Sequence, residues 1–195
     1  MSLREEILTV SKDLLIEDGF GELSMRKIAK RANVTATSIY LHFENKDELL
    51  LTLVQESIES LKKVLLSVID DSLDALTQLH KLANAYIQYA IDHPKKYEII
   101  YMVRPEEMPK YPKEKFREIR SVYELLADII QQGKLVGKLD VDNHLTSAYS
   151  VWAQLHGVVS VILNKRLDTR IPQHQFIEQS VNHIMQGFKI QQSAV

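Results

Sequence analysis

The sequence contains no cysteine, and only six glycines and five prolines interrupt its 195 residues. Without thiol groups the chain cannot build a disulfide framework, a thiolate zinc site, an iron–sulfur cluster or a cysteine nucleophile. The absence of cysteine also fits a reducing cytoplasm, and we expect the protein to act there. Because glycine and proline are the residues that most often break helices, their scarcity favours long helices, and we predict an all-α fold.

Several kinds of chemistry lack the residues they need. The seven histidines include no pair spaced four residues apart, so we predict no metal site. Gly133 and Gly137 follow no predicted strand and cannot form a phosphate-binding loop, and no nucleophile stands in a recognisable arrangement with a base. We therefore predict no catalytic residue and no cofactor.

Total charge and hydropathy do not identify a partner. The 24 Lys and Arg residues against 26 Asp and Glu residues leave a net charge of −2. The longest strongly apolar stretch, residues 158–163, is far shorter than the ~20 residues that cross a bilayer. The first residues include two early acids and no apolar segment of a signal peptide, so we expect no membrane association.

The spacing of apolar residues and the breaks between them predict nine helices. The first ends at Gly19, the second spans residues 25–32 and the brief third ends near Phe43. The others are predicted over residues 45–70, 74–92, 94–103, 113–133, 142–165 and 172–188. Three of the five prolines fall within residues 105–112 and predict an extended loop there.

The helix boundaries between residues 23 and 48 carry strong local signals. Ser24 and Thr35 are predicted N-caps, each preceded by an apolar residue that can pack against another four positions into the helix. Asn33 stands where the chain needs a left-handed residue to leave the second helix. Asn45 is predicted to start the fourth helix with Glu48 completing a capping-box-like arrangement. Two helices joined in this way form a helix-turn-helix pattern.

Charge is strongly polarised over the same region. Residues 1–23 hold two cations against six acids, a net −4, whereas residues 24–46 hold five cations against one acid, a net +4. A solvated helix surface is the simpler interpretation of a basic cluster. Here, however, the caps and the turn coincide with the positive charge, which favours a face that binds duplex DNA.

The third predicted helix has the composition of a recognition helix. Ile39 and Phe43, four residues apart, are expected to face the core, which leaves small side chains outward to approach base edges in the major groove. No Arg, Lys, Asn or Gln lies between Thr35 and Phe43, so bidentate base reading from this helix is excluded. We expect discrimination through methyl contacts and DNA shape. The predicted base-reading residues are Thr35, Ala36, Thr37 and Ser38, and the predicted phosphate contacts are Ser24, Arg26, Tyr40, His42 and Lys46.

The stretch LSMRKIAKRANVTATSIYLHFENKDELL, residues 23–50, closely resembles the DNA-binding domain of the TetR family of bacterial transcriptional regulators. The signature is specific in the spacing of Arg26, Ala29, Val34, Tyr40, Phe43 and Lys46. The resemblance implies an N-terminal three-helix DNA-binding domain, residues 1–46, and a C-terminal helical domain for effector binding and dimerisation, residues 47–195, with 47–70 as the connecting helix. The same assignment of base-reading and phosphate residues follows from it. Asn33 departs from the family in a turn position that is often glycine.

The C-terminal half offers a second, shorter resemblance. Trp152, His156 and Gly157 resemble the Trp-His-Gly motif of one subclass of these C-terminal domains. The predicted helix that carries them is apolar on two faces, which requires burial on two sides. We predict a homodimer through a four-helix interface, with Gly157 permitting close approach. Its predicted residues are Val151, Leu155, Val158, Ile162, Ile177, Val181, Ile184 and Phe188.

Aromatic side chains predict a pocket for a small, mostly apolar effector. Each of them, taken alone, is more often plain core. The candidate effector residues are Tyr86, Tyr89, Tyr101, Met102, Tyr123, Trp152 and His156. The sequence thus predicts a ligand-responsive dimeric regulator, most simply a repressor released from a palindromic operator on double-stranded DNA by its effector. An activator, an effector-independent DNA-binding protein, and a helical enzyme or ligand carrier remain alternatives.

Overall fold

The computed structural model describes residues 2–19, 21–102 and 116–188, without the side chains of 102 and 116–120. These residues form nine α-helices and no strand. The helices are α1 (Leu3–Asp18), α2 (Met25–Arg31), α3 (Ala36–Tyr40), α4 (Lys46–Ser67), α5 (Ala75–Asp92), α6 (Pro94–Met102), α7 (Phe116–Leu135), α8 (His144–Leu163) and α9 (Gln173–Gln186). The all-α prediction is therefore confirmed. The predicted loop at residues 105–112 lies outside the described residues.

Capping side chains explain most helix starts. Ser2 forms a complete capping box with Glu5 at the start of α1, and the Asn143 side chain accepts a hydrogen bond from the Thr146 backbone N–H at the start of α8. The Asn45 side chain accepts from the Glu48 backbone N–H at 2.9 Å, as predicted. The reciprocal bond differs, because the Glu48 carboxylate accepts from the backbone N–H of Glu44 instead. The bonds accepted by the Ser2, Asn45 and Asn143 side chains each satisfy a backbone donor that the first helical turn leaves unpaired.

One predicted boundary is wrong. Gly133 was expected to end its helix, but α7 continues to Leu135 and the chain turns at Gly137, whose φ is +68°. Gly133 is buried. A Cβ built on it would lie 2.5 Å from Leu139 Cδ1 and 2.7 Å from Ala75 Cβ, so the neighbouring side chains leave no room for one. This glycine therefore permits close packing inside a helix, whereas the one at 137 supplies the turn.

The described residues fall into two compact units. The first contains residues from Met1–Ser60 and His93–Ile119, and the second contains residues from Leu61–Asp92 and Arg120–Val195. In the first unit, α1 packs on α2 and α6, and α2 packs on α3. In the second unit, α5, α8 and α9 pack on one another. The first unit is therefore discontinuous in sequence, because α6 belongs to it.

The second unit has an apolar core around α5. Leu79, Ala83 and Ala90 on α5 are fully buried, and so are Leu155 and Val159 on α8. None of the described helices is long and apolar enough to cross a membrane. Within the described part of the chain, no three His, Asp or Glu side chains are grouped to hold a metal ion.

Candidate DNA-binding surface

The turn between α2 and α3 is a Schellman motif built on asparagine. The backbone N–H of Val34 donates to Ala29 O at 3.0 Å, and that of Asn33 donates to Lys30 O at 3.3 Å. Asn33 has φ +53°, the left-handed conformation predicted for it. Asparagine tolerates this conformation better than most residues, so the turn forms without the glycine usual at this position.

Side-chain caps fix the starts of both helices, as predicted. The Ser24 hydroxyl accepts a hydrogen bond from the Lys27 backbone N–H at 3.2 Å. The Thr35 hydroxyl accepts one from the Ser38 backbone N–H at 3.1 Å. Because each cap satisfies an otherwise unpaired donor at the first turn, these short helices have defined orientations.

The buried side of this module is apolar and tightly held. Ile28 and Ile39 are fully buried, and Phe43 is 1% exposed. The Arg4 guanidinium lies over the Phe43 ring, 5.3 Å from its centroid, and also pairs with Glu56 at 3.6 Å. Through Arg4, α1 therefore contacts both Phe43, three residues after the recognition helix, and the middle of α4.

The opposite side of α3 presents its small residues to solvent. Thr35 and Thr37 are exposed, whereas Ala36 and Ser38 are half-buried. The hydroxyls of Thr35 and Ser38 lie 2.8 Å apart and form a hydrogen bond with each other. Of the four predicted base-reading residues, Thr37 is thus the one that combines exposure with a side chain not used in the cap.

The cations of α2 divide into two sets. Lys27 Nζ lies 3.0 Å from Asp18 Oδ2, and Arg31 Nη2 lies 3.2 Å from Glu17 Oε1. Both acids belong to α1, so part of the charge polarisation seen in the sequence is internal ion pairing. Arg26 is exposed, and the described part of the chain gives it no ion pair.

The remaining predicted phosphate contacts are all at least partly accessible to solvent. Ser24, Tyr40 and His42 are exposed, and Lys46 is half-buried at the start of α4. Sequence reasoning missed two residues of this module. Lys30 is exposed one turn after Arg26 and, within the described residues, also lacks an ion pair. Its spacing from Arg26 was the signal that could have identified it.

The second missed residue is Leu41, at the end of α3. Its side chain is 80% exposed, and its neighbour Tyr40 is 54% exposed. The spacing of Ile39 and Phe43 already leaves Leu41 among the outward positions of this helix. Its apolar side chain offers no hydrogen bond to a base or a phosphate, and no contact was predicted for it.

The first unit also holds a polar contact between its two distant segments. Lys95 Nζ on α6 lies 2.8 Å from Asp13 Oδ1 on α1, and Lys96 Nζ donates to the Ser60 hydroxyl at 3.0 Å. Lys12 lies in this region, and burial together with the Lys96 charge lowers its pKa. This contact joins α6 to the helix that packs against α2.

An aromatic cluster in the second unit gathers four of the predicted effector residues. The ring of Trp152 stacks on His156 at 5.4 Å and meets Tyr123 edge-on at 4.9 Å. Trp152 Nε1 donates to the buried Tyr86 hydroxyl at 3.1 Å. Tyr149, which was not predicted, stacks on Tyr123 at 4.8 Å.

The aromatic cluster has perturbed titrating groups. Burial raises the pKa of the Tyr123 hydroxyl and lowers the pKa of His156. Both shifts favour neutral side chains at physiological pH. The neighbourhood therefore suits an uncharged ligand surface better than a charged one.

The other three predicted effector residues lie elsewhere. Tyr89 is buried on α5, in the same unit as the aromatic cluster. Tyr101 belongs to the first unit, where its ring lies 4.8 Å from that of Tyr97. The side chain of Met102 lies outside the described residues.

Two cavities of the second unit lie near these elements. One of about 280 Å³ is lined by Tyr123, Glu124, Leu145, Ala148 and Tyr149. A larger groove of about 1040 Å³ is lined by residues of the α4 end, α5 and α9, none of which was predicted to bind an effector. Only the smaller cavity contacts the aromatic cluster.

The predicted dimer residues are mostly occupied within one protomer. Two of them, Ile162 and Ile177, are half-buried. Packing among α5, α8 and α9 buries the other six, which are Val151, Leu155, Val158, Val181, Ile184 and Phe188. Between residues 150 and 157, the exposed residues of α8 are instead Ser150, Ala153, Gln154 and Gly157. A Cβ built at Gly157 meets no atom within 4 Å, so this surface is open.

A capped helix-turn-helix with an exposed recognition helix, followed by a separate helical unit, is the architecture of a DNA-binding regulator. Residues 7–53 match the family model described as "Bacterial regulatory proteins, tetR family". Residues 79–187 match the model described as "Tetracyclin repressor-like, C-terminal domain". The chain belongs to the tetR family of bacterial regulatory proteins and is a DNA-binding transcriptional regulator rather than an enzyme. These matches do not confirm the Trp-His-Gly subclass.

Solved structures share the fold over nearly the whole chain. A putative tetR family transcription regulator from Shewanella sp. PV-4 is 18% identical, with a TM-score of 0.80, and the match covers 98% of this chain and 100% of that one. A TetR family transcription regulator from Marinobacter aquaeolei VT8 is 18% identical, with a TM-score of 0.78 and coverage of 96% and 95%. The fatty acid degradation regulator FadR from Bacillus halodurans is 22% identical, with a TM-score of 0.72 and coverage of 93% and 94%.

Proposed function

We propose that this regulator is a homodimeric repressor that holds a pseudo-palindromic operator through α3 and releases it when a small, mostly apolar effector binds the second unit. The observation that carries the proposal is the two-sided character of α3. Ile39 is fully buried, whereas Thr37 is exposed on the opposite side. Thr35, Ala36, Thr37 and Ser38 are assigned to base reading, with Ser24, Arg26, Tyr40, His42 and Lys46 on phosphates.

Operator binding is tested with the full chain. A duplex is first selected from a random-sequence pool by the wild-type protein, and its affinity is then measured by fluorescence anisotropy. Footprinting of the selected duplex should show protection of two half-sites about one helical turn or more apart, because the two recognition helices are related by a two-fold axis. A chain that binds no duplex in preference to the random pool, even at low ionic strength, contradicts the proposal.

The dimer is proposed to form through the outward surfaces of α8 and α9. On α8 this surface carries Gln154 and the small residues Ser150, Ala153 and Gly157, and the small residues permit close helix approach. Because nothing lies within 4 Å of a Cβ at Gly157, the substitution Gly157→Leu should fold normally and weaken only the dimer. Sedimentation velocity is the measurement, and Gln131→Leu, on the exposed side of α7, is the matched control. An unchanged dimer in Gly157→Leu removes this surface from the proposal.

The effector site is proposed at the aromatic cluster of Tyr86, Tyr123, Trp152 and His156. Support comes from the neutral character of these groups and from the adjacent cavity of about 280 Å³. Trp152 is the sole tryptophan of the chain, so its fluorescence reports binding without a label. Suitable probes are uncharged aromatic compounds and the methyl ester of a medium-chain fatty acid, the latter because a regulator with the same fold is named for fatty acid degradation.

Release of the operator is tested by titrating each probe that quenches Trp152 into the protein–operator complex. An effector changes operator affinity only through its different affinities for the two conformations. We expect a loss of affinity of about 5- to 150-fold, the usual range for such coupling. A probe that saturates the protein and leaves operator affinity unchanged is not the effector, and if every saturating probe behaves in this way the release mechanism is wrong.

A further inference from the structure

Leu41 has a side chain that the fold of its own module does not use. Its backbone N–H donates to Thr37 O at 3.2 Å, so the residue continues the last turn of the recognition helix. The side chain is nevertheless 80% exposed, whereas Ile39 and Phe43 on either side of it are buried. Single exposed leucines are common on protein surfaces, so exposure alone assigns no role.

The position of Leu41 relative to Thr37 points to a role for its side chain. The two residues are four apart on one helical turn, and their side chains therefore lie on the same side of the helix. Thr37 is exposed, and its hydroxyl is not part of the hydrogen bond that joins Thr35 to Ser38. Thr37 and Leu41 thus form a short outward row. We call it the methyl row, because both side chains end in methyl groups.

The chemistry of the methyl row restricts what it can recognise. It offers apolar carbon from both residues and one hydroxyl, with no charged or amide donor. In the major groove, the thymine 5-methyl group is the apolar feature that distinguishes one base pair from the others. We infer that Thr37 and Leu41 each contact the methyl group of a thymine, and that Leu41 is a specificity-determining residue of this regulator. This inference rests on the proposed operator binding and adds the base that is read and the second residue that reads it.

Helix geometry sets the distance between the two thymines. Residues four apart are separated by about 6 Å along a helix axis, whereas successive base pairs are about 3.4 Å apart. The methyl row should therefore read two thymines about two base pairs apart in each half-site. The thymines can lie on either strand, because both present their methyl groups in the major groove.

The test removes single methyl groups from the DNA. Each thymine of a selected operator is replaced in turn by deoxyuridine, which differs from thymine only in lacking the 5-methyl group. Burial of one methyl group is worth about a fourfold change in affinity. Two positions of the half-site, two base pairs apart, should be sensitive. At each of them, deoxyuridine in both half-sites should weaken wild-type binding about 15-fold.

Protein variants then assign each position. Leu41→Ala should abolish the difference between thymine and deoxyuridine at one position and leave the other sensitive. Thr37→Ser, which removes only a methyl group, should do the converse. Leu135→Ala, at a similarly exposed leucine of the second unit, is the matched control and should bind both operators as the wild type does.

Each outcome decides the inference. The inference is supported if the wild type has two deoxyuridine-sensitive positions, and if Leu41→Ala loses the sensitivity of one position while Thr37→Ser loses that of the other. An equal loss of affinity on thymine and deoxyuridine operators in Leu41→Ala overturns it, because that result places Leu41 against the sugar–phosphate backbone. A wild-type protein that binds its operator with no deoxyuridine-sensitive position overturns the inference and leaves the proposed function standing, whereas failure to select any operator overturns the proposed function itself.

Discussion

The two sets of cations on α2 give a quantitative prediction about salt. Arg26 is exposed and lacks an ion pair within the described residues, whereas Lys27, the next residue, lies 3.0 Å from Asp18. If Arg26 contacts a phosphate, its replacement by alanine removes one contact from each half-site. Each phosphate contact contributes about −0.9 to the slope of log K against log salt concentration. Arg26→Ala should therefore make the slope of a dimer shallower by about 1.8.

The corresponding loss of affinity follows from counterion release. At 0.15 M salt each contact contributes about 1 kcal/mol, so two contacts correspond to roughly a 30-fold weaker complex. The assay is fluorescence anisotropy with one operator at salt concentrations from 50 to 200 mM. Circular dichroism of the variant checks that the module remains folded.

The matched control removes one positive and one negative charge together, so the net charge of the protein does not change. In Lys27→Ala with Asp18→Asn, a cation and its paired acid disappear together. This exposed pair contributes at most about 1 kcal/mol to folding, so the double variant should fold and keep the wild-type slope. An unchanged slope in Arg26→Ala, or an equal change in the double variant, would refute the assignment of α2 cations to two sets.

Three further predictions concern folding. Gly133→Ala should lower the midpoint of thermal unfolding, because the cost of overpacking, about 1–3 kcal/mol, exceeds the gain of about 1 kcal/mol in helix propensity; a raised midpoint contradicts the close packing seen at this glycine. Asn33→Ala should destabilise the first unit by about 1 kcal/mol in urea unfolding, since φ is +53° there, and Asn33→Gly should not. Burial lowers the pKa of His156 below 6.5, so the free energy of unfolding should fall as the pH drops below that value. His156→Gln should show a weaker fall, and an identical pH profile would show that this residue is not involved.

Local signals in the sequence predicted much of the DNA-binding module. Ser24, Asn33 and Thr35 each act through their nearest backbone neighbours, so residue type and position were sufficient to predict the caps and the turn. Contacts between distant residues were beyond such reasoning. The pairing of Lys27 with Asp18 depends on how α1 packs against α2, and the sequence showed only a charge difference between two segments.

The C-terminal half shows a different limit. Periodicity identified the apolar side of α8, including Val151 and Leu155, but not what covers it. The prediction assigned that side to a second subunit, whereas α5 and α9 of the same chain bury it. A hydrophobic stripe predicts that one side of a helix is buried, but it does not identify the element that packs against that side. Gly133 was misinterpreted for a related reason, because a glycine that ends a helix and one that permits close packing look alike in sequence.

The contact of α6 with α1 determines how this protein can be cut and recombined. Lys95 and Asp13 are 82 positions apart in sequence yet form one ion pair inside the first unit. A fragment that stops after α4 would lack the helix that covers this side of α1. Hybrid regulators that exchange the second unit between relatives should therefore keep α6 with the first unit, which requires three splice sites, near residues 60, 92 and 119. Libraries built with a single crossover should be enriched in unfolded members.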